Sequence, residues 1–210
     1  MFYTENGNAK AQFICSKEKP NVFLIGDSIR QGYCASVKEI LTDTAEVFYV
    51  SDNCRNTQYV ITNLYTWANM FDDPKLVNIV HFNCGHWDIA HWNGGELPLT
   101  SEKEYSRNIE MIINSIKKLF ANAKIVFATT TTMNPNGTIG INPRTNEQIV
   151  RYNKLAKAVA DEHNIIINDI YSVTKKWDSN AYCDYCHFTE AAFKELGKAV
   201  AFNIKNCLRN

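Results

Sequence analysis

Ser28 near one end of the chain, and Asp184 with His187 near the other, have the types and the spacing for nucleophilic catalysis. A serine hydroxyl is a poor nucleophile until an imidazole takes its proton. The imidazole in turn needs an acceptor on its other ring nitrogen to fix tautomer and orientation. A separation of three residues lets one turn supply both imidazole and acceptor. Ser28 follows an apolar run in Gly26-Asp27-Ser28-Ile29, with a helix expected directly afterwards. Its hydroxyl therefore sits at a strand-to-helix turn near the positive end of a helix dipole, where a developing oxyanion is stabilised. Asp184-Tyr185-Cys186-His187-Phe188-Thr189 precedes the last amphipathic segment, with Thr189 as its expected cap. Each motif has a plainer reading by itself. Gly-Asp-Ser is ordinary turn composition in which the serine caps a helix, and Asp-x-x-His also occurs as a surface pair.

The elements that must position these residues are legible in the apolar pattern. Short, nearly continuous runs over 22–25, 47–50, 77–82, 125–128 and 165–168 suit strands of a parallel sheet covered on both faces. Between them, Tyr105, Ile109, Ile112, Ile113, Ile116 and Phe120 fall on one helical face, as do Ile149, Tyr152, Leu155, Ala156 and Val159. A last helix carries Phe193, Leu196, Val200 and Ile204. This alternation predicts right-handed βαβ crossovers and a three-layer α/β/α sandwich. Two stretches fit no element: 91–99 after the third strand and 129–146 after the fourth, both at strand carboxyl ends. In an open α/β sheet ligands bind at that edge, so these loops are candidate walls of a pocket or else plain surface loops.

The chain has 210 residues, consistent with one domain over 1–210 whose first 20 residues form an N-terminal extension. Lys plus Arg and Asp plus Glu are both 22, so no net field favours nucleic acid or an anionic membrane, and neither is expected as a partner. No run of 18 apolar residues or secretion signal is present. As given, the chain is expected in the cytoplasm, or secreted or periplasmic if a signal was removed. Seven cysteines, an odd number without a repeating framework, are expected as free thiols. Cys183 and Cys186 form a C-x-x-C, but zinc usually takes a second such pair, so no metal or other cofactor is expected.

Together the Gly-Asp-Ser and Asp-x-x-His motifs resemble the SGNH (GDSL) hydrolase superfamily, from Val22 to about Ala201. Phe127-Ala128-Thr129-Thr130-Thr131 and Arg151-Tyr152-Asn153 are local echoes of the same pattern. The resemblance implies a flavodoxin-like five-stranded sheet of order 2-1-3-4-5 and acyl-ester hydrolysis through an acyl-enzyme, without a metal. It also implies oxyanion donors in the middle blocks, where the chain departs from the family. Cys54 stands where members carry a glycine whose N–H is a donor. Phe82-Asn83-Cys84-Gly85-His86-Trp87-Asp88 stands where they carry Gly-x-Asn-Asp, as though Asn and Gly had exchanged places. Asn83 is accordingly expected to supply the amide, with an asparagine capping a turn beside Gly85 as the plainer reading.

Among the remaining residues, His86, His91, Trp87 and Trp92 are candidates either for a sugar or aryl subsite or for loop packing, with packing preferred for His91. Asp27 is expected to tie the nucleophile turn to nearby N–H groups, and Arg55 to contact substrate or, the preferred reading, to bridge to a carboxylate. The expected activity is a serine esterase acting on a small-molecule ester, with acetyl on a carbohydrate preferred. Two alternatives stay open. One is a catalytically silent binding module on the same fold. The other is a phosphate or nucleotide binder using the turn at 26–32, which lacks both G-x-G-x-x-G and a Walker lysine.

Overall fold

The apolar runs pair as one parallel sheet because their side chains, alternating across the pleat, are covered on both faces. The computed structural model describes residues 12–137 and 140–209. Its strands are β1 (Asn21–Ile25), β2 (Glu46–Tyr49), β3 (Val77–Phe82), β4 (Lys124–Ala128) and β5 (Ile166–Asn168). They lie in the order β2-β1-β3-β4-β5, as expected, with Val22 opposite Val47 and Ile79, and Val80 opposite Ile125. No strand end differs from the sequence reading by more than one residue, and those of β3 not at all.

The helices are α1 (Ser28–Leu41), α2 (Thr57–Ala68), α3 (His86–Ile89), α4 (Glu102–Leu119), α5 (Asn146–Glu162), α6 (Ile170–Thr174) and α7 (Glu190–Arg209). Phe23, Ile25, Val80, Phe82 and Phe127 face the layer of α2, α4 and α5, while Val22, Leu24, Ile79 and Val126 face that of α1 and α7. Capping boxes start two of these helices: Ser101 with Glu104 at α4 and Thr145 with Gln148 at α5. Part of the expected N-terminal extension, 1–11, lies outside the described residues. Beyond it, Phe13 is integral to the packing, with its ring 5.0 Å from Phe71 and 5.4 Å from Phe48.

The contact that matters for the site is between α1 and α7. Gly32 lies directly under Phe193, where a Cβ would come within 2.2 Å of the ring. Gly197 faces Ser36, and its Cβ would fall 2.8 Å from that of Ser36. These two glycines let the helices approach closely, which brings the start of α1 beside the loop that leads into α7. Gly32→Val is expected to destabilise the fold by about 1–3 kcal/mol through overpacking. The checks are a lower urea midpoint and a turnover that falls with it; an unchanged midpoint would mean that the ring has room to move.

Candidate active site

Ser28 owes its exposure at the sheet edge to its neighbours. Gly26 has no room for a side chain, since a Cβ would lie 2.0 Å from Asn83 Oδ1. Asp27, not Ser28, caps α1: its Oδ1 accepts the Ile29 N–H at 3.0 Å. Ser28 thus becomes the first helical residue, its hydroxyl uncommitted to the cap and its N–H without an intrahelical acceptor. Buried Arg30 reinforces the turn by donating to the carbonyls of Gly26, Val50 and Asp52. Burial pushes the Asp27 carboxyl up, while the Asn83 amide and the Ile29 N–H pull it back. Its other oxygen has no partner among the described residues.

The loop before α7 delivers the imidazole. A bridge pairs Tyr182 with Phe188, the Cys183 N–H donates to the His187 carbonyl at 2.9 Å, and the Thr189 N–H donates to Ala181 at 2.8 Å. Thr189 also accepts the Ala192 N–H at 3.3 Å, so it caps α7 as expected. Within this closed loop Asp184 Oδ1 accepts the N–H groups of Cys186 (2.8 Å) and His187 (2.7 Å). Asp184 Oδ2 lies 2.7 Å from His187 Nδ1, and His187 Nε2 lies 2.7 Å from Ser28 Oγ. A carboxylate can only accept, so Nδ1 carries its proton and Nε2 is left to take the serine's. Burial pushes the Asp184 carboxyl up, but the two backbone N–H donors and the His187 ring outweigh it and hold the group below its ordinary range. Such a chain can move a proton from the serine to the imidazole as a carbonyl carbon is attacked.

Neither of two expected oxyanion donors is among the residues that line the cleft at Ser28. The Cys54 N–H donates to the Gly26 carbonyl at 3.1 Å, and Cys54 is fully buried. The Asn83 amide donates to Asp27 Oδ1 at 3.0 Å, while its oxygen accepts from Tyr33 at 3.4 Å. Both hold the nucleophile turn from beneath. Gly85 is also structural: its φ of 156° and a Cβ position 1.9 Å from Thr130 Oγ1 admit only glycine. Buried Asp88 accepts from Thr57 and Thr100.

Ser28 and His187 open onto a cleft of about 290 Å³. His86, Trp87 and Trp92 line it, as expected of a subsite, together with Asn53, Asn142, Arg144 and Tyr185. The two indoles lie 4.7 Å apart and tilted by 42°. Arg144 Nε donates to His86 Nδ1 at 3.1 Å, so the His86 Nε2–H donates to Thr131 Oγ1 at 3.0 Å. Burial, then the Arg144 charge, holds His86 well below its ordinary pKa, and the ring is neutral. His91 packs in its loop, bonded to Gly95 and Gln148. Arg55 makes no bridge to a carboxylate among the described residues and stacks instead on Tyr59, 4.6 Å from the ring centre.

Asn53 and Arg144 are the residues that sequence reasoning missed. Asn53 adjoins the expected Cys54, and Arg144 falls in the loop 129–146 already suspected as a wall, but no spacing singles out either. Asp184, Cys186 and His187 offer three potential metal-ligand atoms within 4.8 Å of one another. Burial pushes the Cys186 thiol up to about 12, away from the thiolate that zinc requires, and the other two groups are bonded to each other.

The sequence pattern of the GDSL-like lipase/acylhydrolase family matches residues 24–194. A GDSL esterase/lipase of Arabidopsis thaliana is 25% identical over 209 residues, which cover 88% of this chain and 85% of that protein. The fold is shared with a lipase/acylhydrolase from Enterococcus faecalis, at a TM-score of 0.69 and 18% identity over 89% of this chain and 96% of that one. It is shared too with a carbohydrate acetylesterase from Sinorhizobium meliloti, at a TM-score of 0.69 and 14% identity over 90% and 99%.

Since Asn83 props the turn, Asn83→Ala is expected to lower stability by about 1–3 kcal/mol by leaving buried polar groups without partners. Urea denaturation checks this; a variant of native stability with a selective loss of turnover would return Asn83 to the oxyanion site.

Proposed function

The chain belongs to the GDSL-like lipase/acylhydrolase family and is a carboxylic ester hydrolase, and on that premise we propose that Ser28, His187 and Asp184 are its catalytic triad. The observation that carries this is the unbroken pair of 2.7 Å contacts from Ser28 Oγ through the His187 ring to Asp184. Ser28 Oγ attacks the ester carbonyl while His187 Nε2 takes its proton, and Asp184 stabilises the imidazolium. The carbon–oxygen bond to the alcohol then breaks, and His187 returns the proton to the departing oxygen. Water, deprotonated by the same nitrogen, attacks the acyl-Ser28 carbonyl and releases the acid.

With Cys54 and Asn83 buried beneath the turn, the oxyanion falls to the Ser28 N–H and to the side-chain amide of Asn53. Asn53 Oδ1 accepts the Arg55 N–H at 2.9 Å, which fixes the amide. Its NH₂ has no acceptor among the described residues, and Asn53 lines the cleft. The modest cleft supports a short acyl group, and the indoles of Trp87 and Trp92 support a sugar as the alcohol part, because aromatic faces cover the apolar faces of sugars. Acetyl on a carbohydrate is the reading these features favour.

Labelling with a fluorophosphonate is expected in the wild type and lost in Ser28→Ala, and p-nitrophenyl acetate is expected to be turned over faster than the octanoate. Absence of labelling would refute the triad, and a preference for octanoate would refute the short-acyl reading. Asn53→Asp retains the acceptor for Arg55 while replacing the donor with an anionic oxygen. It is expected to lower kcat about 100- to 1000-fold; normal turnover would remove Asn53 from the oxyanion site.

A further inference from the structure

The cleft contains a positive charge that the triad does not use. Arg144 is half-buried and makes three bonds, all to neutral atoms: His86 Nδ1 at 3.1 Å, the Asn142 carbonyl at 3.3 Å and Cys186 Sγ at 3.3 Å. No carboxylate of the described residues forms an ion pair with it. A guanidinium has five N–H donors, so two remain. Tyr185 lies against the planar group, 5.3 Å from ring centre to Cζ, and helps to hold it in place. Withdrawing a cation from water without a counter-ion is costly. Here neutral acceptors hold one in a fixed orientation, at the wall of the cleft that Ser28 and His187 also line. That is the design of a receptor whose anion arrives with the substrate.

We propose that Arg144 binds a carboxylate carried by the alcohol part of the ester, making the substrate an acylated acidic sugar of the uronic type. This rests on the esterase reading above. The side of the cleft decides which part of the ester bears the charge. Arg144 is bonded to Cys186, the neighbour of His187, and His187 must protonate the departing alcohol. The proposed oxyanion donors, Ser28 N–H and Asn53, follow β1 and β2 instead. Arg144 also holds His86, which adjoins Trp87, so charge recognition lies beside the indole pair. A uronoside would thus rest its ring on the tryptophans with its carboxylate on the guanidinium.

The test compares an acetylated methyl glucuronoside with the methyl glucoside acetylated at the same position. Wild-type kcat/KM is expected to favour the uronoside about 10- to 100-fold, the range for a hydrogen-bonded charge. Arg144→Gln is expected to bring that ratio close to one, and Arg144→Lys, a charge without the planar fork, to leave it between the two. Because Arg144 also supports His86, the readout is the ratio within each protein and not the absolute rate. Calorimetric titration of both sugars into Ser28→Ala protein supplies an arm independent of turnover, with the same preference expected in Kd. Equal rates in the wild type, an unchanged ratio in Arg144→Gln, or failure of the Ser28→Ala protein to prefer the uronoside would each overturn the proposal. If fluorophosphonate fails to label Ser28, the triad reading falls separately, and the titration still decides whether the cleft receives a carboxylate.

Discussion

A serine and a histidine separated by 159 residues of chain stand 2.7 Å apart because two helices from opposite ends of the sequence pack with almost nothing between them. Gly32 under Phe193 and Gly197 against Ser36 set that approach. Both reactive groups lie at helix starts, Ser28 as the first residue of α1 and His187 three residues before α7. The geometry of the pair is therefore inherited from the rigid bodies of the helices. Neither side chain needs a long flexible segment to reach the other, which is the condition for a proton relay held to within a fraction of an ångström.

Beneath the nucleophile lies a buried polar layer whose members serve one another. Asn83 and Ile29 donate to Asp27, Tyr33 donates to Asn83, and Cys54 and Arg30 donate to the Gly26 carbonyl. These bonds join the carboxyl ends of β1, β2 and β3 into one platform. Groups that sequence position offers to a reacting oxygen are instead consumed in holding the turn. The donors proposed for the oxyanion are those with no structural duty: the first N–H of a helix and an asparagine amide whose oxygen alone is used.

Much of this was legible in the chain before any coordinates. Continuous apolar runs and a helical stripe such as Tyr105, Ile109, Ile112 and Ile116 report burial directly, so strands, layers and the positions of the terminal motifs follow from them. Ser28, Asp184 and His187 were legible because the demands of proton transfer restrict both their types and their placement. The middle of the site was not. Whether Cys54 or Asn53 faces the cleft depends on a local turn, with Arg55 at a φ of 49°, that no periodicity encodes. Arg144 escaped for a different reason: its proposed role lies in the lack of an acidic partner among the described residues, and that exists only once the chain is folded.

The loop after β4 touches both halves of the site. Asn134 bonds to the carbonyls of Asp184 and Tyr185, while Arg144, ten residues on, holds His86 and Cys186. One segment thereby couples the orientation of the proposed general base to the charge on the cleft wall. An insertion or deletion in it that disturbs the anchorage at Asn134 would therefore change both together.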